Sequence, residues 1–115
     1  MITRVVGVTF KSEEYGVNRQ SVIKKLSGRE NIFIRREPHN KHDPHAVAVL
    51  LRRKKRPFKL GYLKSEIAFL MSDLWEDYKF KARIHEIRSG DEDLDKPYGL
   101  SIRVTKKRKH HGEAS

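Results

Sequence analysis

Between residues 78 and 87 the chain reads YKFKARIHEI, and its first eight residues alternate strictly. Tyr78, Phe80, Ala82 and Ile84 fall on one side of an extended strand, and Lys79, Lys81, Arg83 and His85 on the other. A helix would scatter both sets around its axis. The stretch is therefore a strand in a sheet with one apolar face and one basic, solvated face. Any fold open to this chain has to cover one side of that strand and leave the other in water.

Other segments supply the cover. Residues 3–10 (TRVVGVTF) read as a strand, with Gly7 at a bulge or a close backbone approach. Residues 31–36 (NIFIRR), 46–51 (AVAVLL), 58–63 (FKLGYL) and 98–104 (YGLSIRV) are further short strands. A helix is expected from Asn18, a good N-cap, with Val22, Ile23 and Leu26 on one face and Ser27-Gly28 at its end. Ser65 can cap a second, with Glu66 in its first turn and Ile67, Leu70, Met71 and Leu74 on a core-facing stripe. Met71 and Trp75 read as packing residues. Between these lie a polar loop at 11–17, a two-proline loop from Glu37 to Pro44, a cationic hairpin tip from Arg52 to Arg56, and an acidic loop at 89–97.

The order β-α-β-β-β-α-β-β, without internal repeats, predicts a mostly β, six-stranded, closed or partly closed barrel with two helices outside. Absence of alternating βαβ units argues against a parallel nucleotide-binding sheet. At 115 residues the chain is one domain, read here as 1–105, with a basic tail at 106–115 too polar to pack and expected to be disordered.

Lys and Arg number 26 against 15 Asp and Glu, a net charge of +11. Clustered positive charge of this size attracts phosphate, although a basic surface also serves solubility alone. There is no cysteine, which excludes disulfides, thiolate zinc sites and a Cys nucleophile. No apolar run is long enough to span a bilayer, and no long apolar leader follows Met1. A soluble intracellular protein is expected, cytoplasmic and nucleoid-associated, or nuclear in a eukaryotic host.

No phosphate-loop, dinucleotide, zinc-protease or nucleophile-elbow motif is present. The densest chemistry is EPHNKHDPH at residues 37–45. The stretch REPHNKHDPHAVAV, residues 36–49, resembles the signature of the HIRAN family: an acidic residue and Pro, then Asn and Asp, then Ala-Val. Val5-Val6-Gly7 resembles that family's opening strand, and Leu60-Gly61-Tyr62-Leu63 followed by Glu66 its strand before the second helix. The resemblance spans residue 4 to about residue 104 and implies an OB-like barrel that binds DNA, in some relatives a single strand at its 3′-hydroxyl end. It places Asn40 and Asp43 at the terminal sugar, Phe10 and His42 against the terminal bases, and Tyr62 where a His contacts phosphate. Lys64 beside Tyr62 joins the DNA-binding set. Thr9 departs from the pattern, standing where that end binder has a phosphate-binding Arg, and His42 stands where it has Tyr.

The residue chemistry agrees with this assignment. Bases stack on aromatic faces regardless of sequence, for about 1–3 kcal/mol each. A carboxylate repels phosphate but accepts from a sugar hydroxyl, so Asp43 suits a strand terminus. Asn40 and Asp43 are also turn builders, and one residue can do both jobs. His39, His42 and His45 have the spacing of helical metal ligands, but Pro38 and Pro44 work against a helix, so no metal or other cofactor is expected. The cation runs Arg52–Arg56 and Lys106–Lys109 would add salt-sensitive affinity, or would simply be solvated. The expected function is recognition of single-stranded DNA or 3′ ends, without enzymatic activity, in repair or fork processing, with a helicase or repair protein as partner. The rivals are an adaptor whose basic surface meets an acidic protein, and a small nuclease with Asp43 as metal ligand.

Overall fold

The computed structural model describes residues 1–10 and 18–110. The loop expected at 11–17 and the last five residues of the expected tail, 111–115, lie outside the described residues. The elements run β1 (Ile2–Arg4), α1 (Arg19–Lys24), β2 (Ile32–Arg36), β3 (Val47–Leu51), β4 (Phe58–Tyr62), α2 (Ser65–Met71), β5 (Tyr78–Arg88) and β6 (Gly99–Arg108), with a 3-10 turn at Glu92–Leu94. This is the order read from the sequence, and the fold is mostly β.

The strands form two antiparallel three-stranded sheets, β1-β6-β5 and β2-β3-β4. A single bridge joins them at each edge, Val6 to Tyr62 on one side and Asn31 to Arg83 on the other. The circuit of six strands is thus completed by two single-bridge seams and not by continuous ladders. Every residue of β3 is buried, as its unbroken apolar run requires of a central strand. Ile23, Leu60, Leu100 and Ile102 are fully enclosed between the sheets and α1.

The strand expected over 3–10 ends its ladder at Arg4. There the chain changes sheets: the Val5 N–H donates to Leu100 of β6 and the Val6 N–H to Tyr62 of β4, both at 2.8 Å. Gly7 follows at φ +73°, a conformation that turns the chain out of line and that a side chain disfavours. Gly61 allows the crossing, since a Cβ there would collide with the Val6 carbonyl oxygen.

Asn18 caps α1 by accepting from the Gln20 N–H at 2.8 Å, as expected. In α2 the cap position is Lys64, not Ser65, and has no side-chain hydrogen bond. The stripe expected on α2 also needs correction. Ala68 and Met71 are its buried residues and Ile67 packs partly on the core, whereas Leu70 is 73 % exposed and Phe69 61 %. The helix stops at Met71, so Leu74 follows from a turn and does not extend the stripe. Trp75 packs on Phe80, ring centroids 4.7 Å apart.

The alternation in β5 holds through Ile84. Pairing then jumps from Ile84–Ile102 to Glu86–Ser101, leaving His85 as the extra residue of a bulge. The bulge moves the phase by one residue and returns Ile87 to the core side. β6 continues to Arg108 opposite Tyr78, four residues beyond the expected end at Val104, because the β5 backbone supplies partners for Thr105–Arg108 whatever their polarity.

Candidate nucleic-acid interface

The seam between Val6 and Tyr62 borders an open groove of about 300 Å³, lined by Val6, Asn40, His42, Asp43, Ala46, Tyr62, Leu63 and Ser65. Four of the six residues singled out from the sequence therefore meet in one place: Asn40, His42, Asp43 and Tyr62. Phe10 adjoins them across Gly7. A Cβ on Gly7 would lie 3.5 Å from the Phe10 ring, 3.6 Å from the Arg19 guanidinium and 3.7 Å from the Tyr62 ring. The Phe10 ring is 68 % exposed. Lys64, half-buried between Leu63 and Ser65, stands at the groove's edge and is not among its lining residues.

The groove's loop is held by its own side chains. Asn40 Oδ1 accepts from the backbone N–H groups of His42 (2.8 Å) and Asp43 (3.1 Å), and Asp43 Oδ1 accepts from the His45 N–H (2.8 Å). Both residues thus build turns, the job their types do most often. Asp43 keeps Oδ2 without a hydrogen bond among the described residues, half-buried in the groove. Among the described residues that oxygen has no donor.

Beneath the loop lies a network the sequence reading missed. Glu37 Oε1 accepts from the Asn40 amide (3.0 Å) and from the Tyr62 hydroxyl (2.8 Å), while Oε2 pairs with Lys59. Lys59 also donates to the Tyr62 oxygen at 2.8 Å. Burial would raise the Glu37 carboxyl, but the hydrogen bonds from Lys59, Asn40 and Tyr62 and the charge of Lys59 outweigh it, holding the group below the ordinary carboxylate range. Burial would likewise lower Lys59, and its bonds to Glu37 and Tyr62 raise it above the usual lysine value. The Tyr62 hydroxyl proton is committed to Glu37, and Lys59 Nζ lies over the ring 4.9 Å from its centroid.

Arg19 is the second omission. Only 8 % exposed, it donates from Nη1 to the Gly7 carbonyl at 2.8 Å, lies 6.0 Å from the Tyr62 ring centroid, and leaves Nε unpartnered among the described residues. Burial lowers its pKa, offset in part by Tyr62 and Glu37. A signal existed in the sequence, since residues 19, 22, 23 and 26 share one helical face.

Lys59 pairs with Glu37, and Arg19 also feels the Glu37 charge. With Asp43 in the groove and Lys64 at its edge, the local charge is close to balanced. Among the described residues no three metal-ligating side chains converge. Only His42 of the three loop histidines lines the groove, and the His45 ring packs edge-on against Phe69 at 5.3 Å.

Fold and groove together define a small β module with a polar, ring-flanked cleft at a sheet seam. The sequence model of the HIRAN domain matches residues 4–106, nearly the whole chain, and the protein belongs to that family. The family is one of DNA-binding modules. No curated protein and no solved structure matches the chain.

Proposed function

We propose that the groove receives the 3′ end of a single DNA strand, without chemistry of its own, and that the protein serves repair or fork processing beside a helicase or repair enzyme. The observation that carries this reading is the Asp43 Oδ2, without a donor among the described residues, in a groove shared with Asn40, His42 and Tyr62. A strand terminus presents what that oxygen lacks, a hydroxyl donor. The exposed Phe10 ring gives an unpaired base a stacking face. The nearly balanced charge of the groove fits a sugar and a base better than a run of phosphates.

Fluorescence anisotropy with short single-stranded oligonucleotides tests this. A 3′-hydroxyl end is expected to bind roughly ten-fold or more tightly than a 3′-phosphate end, because a charge-assisted hydrogen bond contributes about 1.5–3 kcal/mol. Asp43→Asn keeps Oδ1 for the His45 N–H, so the loop stands while the charge is gone, and the preference for the hydroxyl end should shrink. Equal affinity of the parent for both ends would return Asp43 to turn building alone.

A further inference from the structure

The groove's nearly balanced charge leaves most of the net +11 elsewhere, and besides the Arg52–Arg56 run a second concentration lies on the outer face of β5 and β6. Residues directly opposite in an antiparallel ladder share a face. Lys79 pairs with Lys107, Lys81 with Thr105 and Arg83 with Arg103, so five cations occupy six consecutive outward positions. All six residues are exposed. The ion pairs of the described residues, Lys24–Glu92, Lys59–Glu37 and Arg88–Glu86, involve none of them. Like charges set directly opposite destabilise a ladder. Lys79–Lys107 and Arg83–Arg103 are two such pairs, and no carboxylate stands between them.

This face runs on toward the groove past Glu86, which stands opposite the buried Ser101 and pairs with Arg88 at 3.5 Å. In β1 the outward residues are Ile2 and Arg4, which pair with Arg103 and Ser101, and the exposed Val6 that follows lines the groove. The Val5 N–H meets Leu100, so seven residues of β6 separate the groove's edge from Lys107. At about 3.4 Å per residue that is roughly 24 Å, about seven base pairs at the roughly 3.4 Å axial spacing of B-DNA. The six positions themselves carry no ring, and the rings nearest them are His85 at the bulge and His110 past the end of β6. Tyr78 and Phe80 point the other way, Tyr78 beneath Lys106 (4.6 Å) and Arg108 (5.2 Å), and Phe80 against Trp75. Single-strand tracks combine cations with stacking rings, whereas phosphates alone suffice for a duplex. From Thr105 to Arg108 the sheet is two strands wide, the width a major groove admits.

We infer that the outer face of the β5–β6 ribbon is a second, sequence-independent site for the phosphates of duplex DNA, lying alongside the strand end held in the groove. The positions on which it stands are independent of the groove; its place beside a strand end rests on the function proposed above.

The test uses two probes: a blunt duplex phosphorylated at both 3′ ends, which denies the groove its hydroxyl, and a hexanucleotide with either a 3′-hydroxyl or a 3′-phosphate, whose affinity ratio reports the groove because any ribbon contact is common to both ends. A variant carrying Lys79→Gln, Lys81→Gln, Arg103→Gln and Lys107→Gln is expected to bind the duplex at least ten-fold more weakly at 0.1 M salt. Its slope of log K against log salt should be shallower by about 3–4, close to one counterion per lost contact. The same variant should keep the parent's preference for a hydroxyl over a phosphate end on the hexanucleotide, and should melt no lower, since two like-charge pairs are removed. Asp43→Asn should show the reverse, an unchanged duplex slope and a reduced end preference. A parental duplex slope in the four-fold variant would overturn the ribbon site while leaving the groove standing. So would a ribbon that retains a polyglutamate peptide and no duplex.

Discussion

Glu37 holds the loop and the sheet together by taking hydrogen from Asn40, Tyr62 and Lys59 at once. Because its folded pKa lies below the unfolded value of about 4.3, its contribution is present above that pH and is lost as the pH falls through the folded value. Unfolding free energy should therefore decline below about pH 4. In Glu37→Gln, Lys59 loses its ion-pair partner while half-buried, and urea unfolding at pH 7 should show a loss of about 1–3 kcal/mol. The acid limb should be flatter in the variant; an unchanged limb would mean that Glu37 is not the group responsible. The sequence showed Glu37 only as the opening of EPHNKHDPH. Its role depends on Lys59 and Tyr62, 22 and 25 positions away, and the two ladders β2–β3 and β3–β4 together bring those three into contact. Asn40, His42, Asp43 and Tyr62 were legible because one short motif and one strand end carry them. Arg19 was overlooked because a cation on an apolar helical stripe is usually assigned to solvent.

The six strands follow from alternation and apolar runs, but their ends are set by partners that alternation cannot reveal. β1 stops early because Val6 finds β4, and β6 runs late because β5 offers a partner as far as Tyr78. The His85 bulge was foreshadowed by Ile87, which breaks the phase of Tyr78–Ile84. On α2 the apolar residues outnumber the places in the core, so position rather than polarity decides that Ala68 is inside and Leu70 outside. The Val6–Tyr62 seam depends most on a single residue. An added methyl in Gly61→Ala would meet the Val6 carbonyl and lie 2.7 Å from Val5 Cγ1, forcing the strands apart. Overpacking of this kind costs about 1–3 kcal/mol. Thermal unfolding should show it, and binding of a 3′-hydroxyl oligonucleotide should weaken as well, since the seam carries Val6 and Tyr62 to the groove. A Gly61→Ala protein with parental stability and affinity would show that the seam can open without consequence.

Across the whole molecule, charge and shape divide the work. The groove is nearly balanced, ring-flanked and open at a seam, and the adjoining sheet face is cationic, with no ring among its six facing positions. Composition announced the positive surplus, but its separation from the groove became visible only with the strand register. That division makes the location of the bound strand the central claim. Amide chemical shifts of the labelled protein, followed while a short single-stranded oligonucleotide with a free 3′-hydroxyl is added, test it most directly. The largest changes are expected at Val6, His42, Asp43, Ala46, Tyr62 and Ser65, with β5 and β6 responding only once duplex is supplied. Changes confined to Lys79–Arg83 and Arg103–Arg108, with the groove amides unmoved, would contradict it.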